Sequence, residues 1–210
     1  MRKNKALFLD RDGVINVDRG YVHSCDDFHF REGIFELCRA AQAFGYLLVV
    51  VTNQAGIARG FYTESEFNDL TTWMAHKFAE RQIEITRVYY CPYHPVHGVG
   101  PYKYDSPDRK PMPGMIFRAS VDLDLDLTAS IIIGDKLSDI EAGRAAGVGT
   151  KILLRHDATT DDVPSEHDLH TSGSLSDVLQ RFFSDPATGG AGGADRACGL
   201  TKSPTPEAAI

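Results

Sequence analysis

The sequence predicts an α/β fold, a doubly wound and mostly parallel sheet. Five short apolar runs recur along the chain: Ala6–Leu9, Leu47–Val51, Arg87–Tyr90, Ser130–Ile133 and Lys151–Leu154. Continuous runs of this length suit strands buried on both faces, the habit of a parallel sheet. Helical periodicity fills most of the intervals between them. Alternating β and α of this kind, joined by right-handed crossovers, places helices on both faces of one sheet.

The helices follow from local signals. After the first run, Ile34, Leu37, Cys38 and Ala41 form an i, i+3, i+4, i+7 stripe that Gly45 closes. Thr63 and Glu66 make a capping box ahead of the apolar positions Phe67, Leu70, Met74 and Phe78. Pro113 is placed to open a third helix through Ile116, Ala119 and Leu123. Ser138 with Glu141 reads as a second capping box, in a helix stopped by Gly147. The stretch from Cys91 to Pro111, rich in Pro, Gly, Tyr and His, is long for a plain connection and reads as a functional loop. From Asp185 the chain turns to Gly, Ala, Pro and Thr. The expected organisation is therefore one domain over 1–184 and a flexible tail over 185–210.

Composition narrows the functional classes. The 210 residues are 42% hydrophobic, enough for a real core, and 24% charged. With 22 Lys and Arg against 29 Asp and Glu, the chain lacks the basic surface that a general nucleic-acid binder needs. No apolar run is long enough to span a bilayer, and the apolar stretch within Met1 to Leu9 is too brief for a secretory signal. Four cysteines (Cys25, Cys38, Cys91 and Cys198) lie far apart without a CxxC pair, which suits free thiols in a reducing cytoplasm. A cytoplasmic monomer, without a nucleic-acid or membrane partner, is expected.

Ligands of open α/β sheets bind at the carboxyl ends of the strands. The first run ends in Asp10-Arg11-Asp12-Gly13, the second in Thr52-Asn53-Gln54 and the fourth in Gly134-Asp135-Lys136. Three strands thus deliver carboxylates, a hydroxyl, an amide and an ammonium to one edge. Clustered carboxylates repel one another and are costly to desolvate, and a hard divalent cation resolves the conflict. Magnesium prefers oxygen ligands and is often shared with a phosphate, so Asp10 and Asp135 would ligate through side chains and Asp12 through its backbone carbonyl. Thr52 and a lysine would hold the remaining phosphate oxygens. The spacing of Asp10 and Asp12 suits a division of labour in phosphate-ester hydrolysis. One carboxylate attacks phosphorus, and the other protonates the departing alkoxide and later takes a proton from water. Alone, an Asp-x-Asp pair also occurs in glycosyltransferases and solvated turns. Its coincidence with the two other strand ends is what carries the reading.

These residues resemble the haloacid-dehalogenase-like (HAD) phosphohydrolases, whose four signatures occur in order as Asp10-Arg11-Asp12-Gly13, Thr52-Asn53, Lys110 and Gly134-Asp135. The resemblance is closer still to the subgroup of heptose 1,7-bisphosphate 7-phosphatases and histidinol-phosphatases. It is carried by the text from Phe8 to Asn16, from Thr52 to Gly60, from Arg109 to Met115 and from Gly134 to Lys136. It spans about residues 5–155, one compact domain. The resemblance implies a HAD-like Rossmannoid fold whose active site is covered by loops, without a large cap domain. It also implies Asp10 as nucleophile, Asp12 as general acid/base, Asp135 as a metal ligand, and Thr52 and Lys110 as donors to the phosphoryl group. Asp18, Arg19, Gly20, Tyr21 and Arg109 would recognise substrate, with Asn53, Gln54, Ala55 and Lys136 around it. An arginine fork matches the oxygens of a second phosphate, which favours a bisphosphorylated sugar. The implied reaction is Mg²⁺-dependent removal of the 7-phosphate from D-glycero-D-manno-heptose 1,7-bisphosphate, leaving the 1-phosphate for nucleotide-activated heptose and surface polysaccharide. Histidinol phosphate or another small phosphomonoester is the alternative within the class. A phosphoacceptor receiver or a glycosyltransferase lies further off.

One departure concerns zinc. Members of the subgroup commonly hold a structural zinc in the loop before the Arg-Lys pair, through Cys-x-His and Cys-x-Cys. Here the first pair reads Cys91-Pro92-Tyr93 with His94 shifted by one, and the second reads Ser106-Pro107-Asp108. Cys91, His94, His97 and Asp108 make an incomplete set for tetrahedral zinc, so the loop is expected to be metal-free and stiffened by its prolines. Elsewhere, Asp122, Asp124 and Asp126 read as a solvated helix end, and Cys38, Trp73, Tyr89 and Tyr90 as packing. Asp139, in the first turn of a helix, is favoured by the dipole and could also stand just behind the metal.

Overall fold

The computed structural model describes residues 3–155 and 169–184. In chain order its elements are β1 (Lys5–Leu9), α1 (Ile34–Ala43), β2 (Tyr46–Asn53), α2 (Ala55–Ala58) and α3 (Glu64–Ala79). They continue with β3 (Ile85–Cys91), α4 (Gly114–Asp122), β4 (Ile131–Gly134), α5 (Leu137–Ala146), β5 (Thr150–Leu154), β6 (Leu169–Ser172) and α6 (Leu175–Phe182). All neighbouring strands pair parallel, in the order β3-β2-β1-β4-β5-β6. The chain winds outward from β1 in one direction, then returns to β4 and winds outward in the other. The crevice between β1 and β4, where the winding reverses, is the place such a sheet offers to a ligand.

The period-two alternation of the strands divides the core into two layers. Leu7, Leu9, Leu48, Val50, Ile131 and Ile133 pack with Leu37 and Cys38 of α1, Leu70, Met74 and Phe78 of α3, and Val178 of α6. Phe8, Val49, Val51 and Ile132 face the other way, onto Met115, Ile116 and Ala119 of α4 and Ala142 of α5. Burial on both faces is why the strand sequences are continuous apolar runs. Trp73 packs against Phe28 and Phe30, as its packing role requires. Tyr89 and Tyr90 pack as well, with hydroxyls donated to Asp122 and Glu64.

The expected elements are present with shifted ends, and some details differ. Thr63 and Glu66 form the reciprocal capping box of α3. Ser130 stands outside β4, where its hydroxyl accepts from the Ala6 N–H at 3.0 Å and donates to the Asp126 carbonyl at 2.7 Å. Pro113 caps α4 and is not its first residue. The capping box expected at Ser138 and Glu141 is not formed: the N-cap falls two residues earlier, at Lys136, whose N–H donates to the Asp139 carboxylate at 3.0 Å. Edge strand β6 and helix α6 complete the sheet beyond the five expected strands. The segment 185–210, expected to be a tail, lies outside the described residues.

Between β1 and α1, between β2 and α3, and between β3 and α4 the chain runs as loops, the short α2 and one 3-10 turn (Gly100–Tyr102). Among the described residues there is no cap domain, and the carboxyl edge of the sheet is rimmed by these loops alone.

Candidate active site

The loop after β1 is wound around one carbonyl. The Arg11 C=O accepts the N–H groups of Val14, Ile15 and Asn16, and the Gly13 N–H donates to the Asn16 carbonyl at 2.8 Å. Gly13 has φ +94°, and a Cβ built on it would fall 2.1 Å from Oδ2 of Asp135. Only a glycine lets the first loop approach the carboxylate that ends β4 so closely. Asp10 is thereby brought beside Asp135 and Asp139. One oxygen from each of these three carboxylates falls within a 4.8 Å cluster.

Lys110 enters this cluster from the third loop. Its backbone is clamped to the end of β2 by two hydrogen bonds. The Asn53 amide donates to the Lys110 carbonyl, and the Lys110 N–H donates to Asn53 Oδ1, both at 3.0 Å. The ammonium lies 3.0 Å from Asp10 Oδ1 and 2.5 Å from Asp139 Oδ1, and donates to the Val51 carbonyl at 2.7 Å. Burial works to lower the pKa of Lys110, but the two carboxylates outweigh it and hold the ammonium charged. Burial and the Asp139 charge raise Asp10 against the pull of Lys110. Asp135 is pushed up to about 7, chiefly by burial, with Lys136 opposing and Asp10 and Asp139 adding to the rise.

Asp12 is handled differently. Its carboxylate accepts from the buried Arg11 guanidinium at 2.8, 2.9 and 3.2 Å, from Asn16 Nδ2 at 3.0 Å and from Gln54 Nε2 at 3.1 Å. Arg11 is itself tied to the Val22 carbonyl at 2.6 Å. The two acids of the Asp-x-Asp pair therefore sit in unlike surroundings, one facing a lysine and carboxylates, the other surrounded by donors.

Three carboxylates gather at the centre, those of Asp10, Asp135 and Asp139, so Asp139 joins the expected metal set. The Asp12 carboxylate is taken up by Arg11, Asn16 and Gln54, which leaves the backbone carbonyl as the ligand atom expected of Asp12. Oδ1 of Asp135 is buried without a hydrogen-bond partner, and the group is strained toward protonation, as a carboxylate awaiting a cation would be. All donors are hard oxygens, which fit magnesium. In the loop that carries the incomplete zinc set, Cys91 Sγ contacts the Tyr93 carbonyl at 3.9 Å, His94 Nδ1 accepts from the N–H groups of Val96 and His97, and Asp108 pairs with Arg118.

A cleft of about 490 Å³ opens over this centre, walled by Asp10, Asp12, Asp18, Gly20, Tyr21, Asn53, Gln54, Ala55, Arg109, Lys110 and Lys136. Tyr62, Ser138 and Asp139 also face it and were not among the expected recognition residues. Of the expected residues, Asp135, Arg19 and Thr52 do not line it. The Gly20 N–H donates to Asp18 Oδ1 at 2.9 Å, and Arg19, inside that turn, is exposed. Thr52 is 1% exposed and stands behind the wall, its Oγ1 accepting from Gln54 Nε2 at 2.9 Å. Across the mouth, Lys136 Nζ lies 3.0 Å from Asp18 Oδ2. Burial favours the neutral Asp18, but the Gly20 N–H and Lys136 outweigh it and hold the carboxyl below its usual range. Arg109 donates to the Tyr93 carbonyl at 3.2 Å, and burial depresses its pKa, with Arg59 acting in the same direction.

A parallel sheet with this switch point, an aspartate pair after β1, a buried lysine and a second acidic strand end define a HAD-like phosphohydrolase. A family model for HAD-hydrolase-like proteins matches residues 108–177. A D-glycero-alpha-D-manno-heptose-1,7-bisphosphate 7-phosphatase of Burkholderia mallei is 59% identical over 152 residues, 72% of this chain and 80% of that protein. The D-glycero-beta-D-manno-heptose-1,7-bisphosphate 7-phosphatase of Vibrio cholerae is 55% identical over 150 residues, covering 71% and 81%. A crystal structure of D,D-heptose 1,7-bisphosphate phosphatase from B. bronchiseptica, complexed with magnesium and phosphate, superposes with a TM-score of 0.72 at 26% identity, over 84% of this chain and 96% of that one. The chain belongs to the heptose-1,7-bisphosphate 7-phosphatase family of HAD-like hydrolases, and is a phosphoric monoester hydrolase.

Proposed function

We propose that the chain removes the 7-phosphate of D-glycero-D-manno-heptose 1,7-bisphosphate through an aspartyl phosphate on Asp10. The observation that carries the reading is the placement of Asp10, 3.0 Å from the Lys110 ammonium, at the floor of a cleft whose wall also holds Asp12. Support for the substrate comes from relatives at 47–59% identity named for this reaction, and from an arginine in the cleft wall.

In the first step a carboxylate oxygen of Asp10 bonds to phosphorus, the bond from phosphorus to the sugar oxygen breaks, and Asp12 passes a proton to that oxygen. In the second step water attacks phosphorus, its proton goes to Asp12, and the bond to Asp10 breaks to release inorganic phosphate. Lys110 stabilises the phosphoryl oxygens from a fixed position and needs no reorganisation to do so. Asp10, Asp135 and Asp139 would hold magnesium, which when bound screens the phosphate dianion from the carboxylates. Arg109 is assigned to the non-reacting phosphate, which its planar fork can grip by two oxygens. Tyr21, Asp18 and Lys136 border the sugar.

The test is phosphate release from the α and β anomers of heptose 1,7-bisphosphate and from histidinol phosphate, with Mg²⁺. Turnover of a bisphosphate well above histidinol phosphate, leaving the 1-phosphate intact, is the expected result. Preference for histidinol phosphate would replace the substrate, and nucleotide-sugar binding without phosphate release would replace the class.

A further inference from the structure

Tyr62 has no part in the chemistry described so far, yet its hydroxyl donates to Gln54 Oε1 at 2.5 Å inside the cleft wall. The same carboxamide spends its two N–H groups on Asp12 Oδ2, at 3.1 Å, and Thr52 Oγ1, at 2.9 Å. A carboxamide is nearly symmetric in shape and opposite at its two ends in hydrogen bonding. Turned over, Gln54 would set its oxygen against the Asp12 carboxylate, acceptor facing acceptor. A donor at Oε1 is what selects the useful orientation, and the buried phenol supplies it. Burial, with Arg11 opposing and Asp12 and Tyr21 adding, pushes Tyr62 up to about 12, so the phenol keeps its proton.

The ring is seated independently of its hydroxyl. It lies against Gly56, where a Cβ would fall 2.1 Å from Tyr62 Cε1, and the His23 imidazole stacks on it with centroids 5.2 Å apart and planes at 3°. A phenylalanine can occupy this seat without disturbing the neighbours.

We infer that Tyr62 is a positioning residue for the proton-transfer step, holding the Gln54 amide so that it presents Nε2 to Asp12. The inference rests on Asp12 as the acid that protonates the leaving oxygen. If so, it affects esters whose leaving group needs a proton and spares those whose leaving group does not.

The experiment measures kcat/KM, which reports the steps up to leaving-group departure, on heptose 1,7-bisphosphate and on p-nitrophenyl phosphate, whose nitrophenolate leaves unprotonated. Tyr62→Phe is expected to lower the sugar-ester value about tenfold, the usual consequence of stranding one buried acceptor, and to change the aryl-ester value by less than about twofold. Gln54→Leu should lower the sugar-ester value as well, and adding Tyr62→Phe to it should change nothing further, because both act through one contact. Equal losses on the two esters, no loss on either, or additive effects in the double variant would overturn the role. Asp12→Asn separates the two levels of the claim. If it penalises both esters alike, the acid assignment of Asp12 is at fault. If it spares the aryl ester while Tyr62→Phe does not, only the role of Tyr62 is.

Discussion

Lys110 Nζ stands 2.5 Å from Oδ1 of Asp139, and both side chains are almost wholly buried. The contact ties the third loop to the first turn of α5, and the same ammonium reaches Asp10 at 3.0 Å. One cation therefore compensates two buried anions from two different elements. Lys110→Met keeps most of the volume and strands both carboxylates. Loss of about 3–5 kcal/mol is expected, the scale for breaking a buried ion pair on one side. Denaturant unfolding without Mg²⁺ measures it, and added Mg²⁺ should restore part of the loss.

Asp10→Asn should behave in the opposite way. Lys110 keeps Asp139 and the Val51 carbonyl as partners, so the fold is retained, while the amide oxygen is too weak a nucleophile to open the phosphate ester. A fall in kcat of more than about 10³-fold is expected, in keeping with removal of a covalent nucleophile. Phosphate release and a melting curve together check both halves.

Asp135 gives the protein a pH signature. Its pKa is about 7 in the fold against an ordinary 3.8. Between those values the folded chain holds a proton that the unfolded chain releases, so this group's contribution to stability is fully present below about 4 and is lost as pH rises toward 7. Asp10, also raised, acts with the same sign. Melting temperatures in EDTA should fall across this window, and Mg²⁺ should flatten the fall. Calorimetry in buffers of different ionisation enthalpy should find about one proton released per Mg²⁺ near pH 6, and fewer above 7, because a metal binds the ionised carboxylate.

Arg109→Lys should separate binding from chemistry. A lysine keeps the charge and loses the fork. KM for the bisphosphate should rise about 10- to 100-fold, the value of one or two charge-assisted hydrogen bonds, with kcat changing far less. A monophosphate substrate, lacking the distal group, should be little affected, and steady-state kinetics on the two decide it.

Much of this was legible in the sequence because a parallel sheet writes its buried strands as apolar runs and leaves its polar residues at their ends. Asp10, Asp12, Asn53, Lys110 and Asp135 could all be found that way or through the family signatures. Strand β6, Leu-His-Thr-Ser, was not, since an edge strand has little apolar burial to advertise. Helix α6 did carry a signal, Ser174 accepting from the Asp177 N–H at 3.0 Å. The partners within the centre depend on distance across the fold, which spacing does not encode. Asp139 joins the carboxylate trio because α5 begins one turn after β4 and aims its third residue back at Lys136. Tyr62 reaches Gln54 only because Gly56 leaves room for its ring, and Thr52 is hidden because Gln54 covers it.

The bridge between Asp18 and Lys136 joins the loop after β1 to the end of β4, and both side chains remain substantially in water. Exposed pairs of this sort are worth about 0–1 kcal/mol, so the strap across the entrance is a weak one. An arriving phosphoester brings anionic oxygens of its own, and the ammonium can trade the aspartate for them at little penalty. Such a doorway resists drift in the resting enzyme and yields to the molecule it admits.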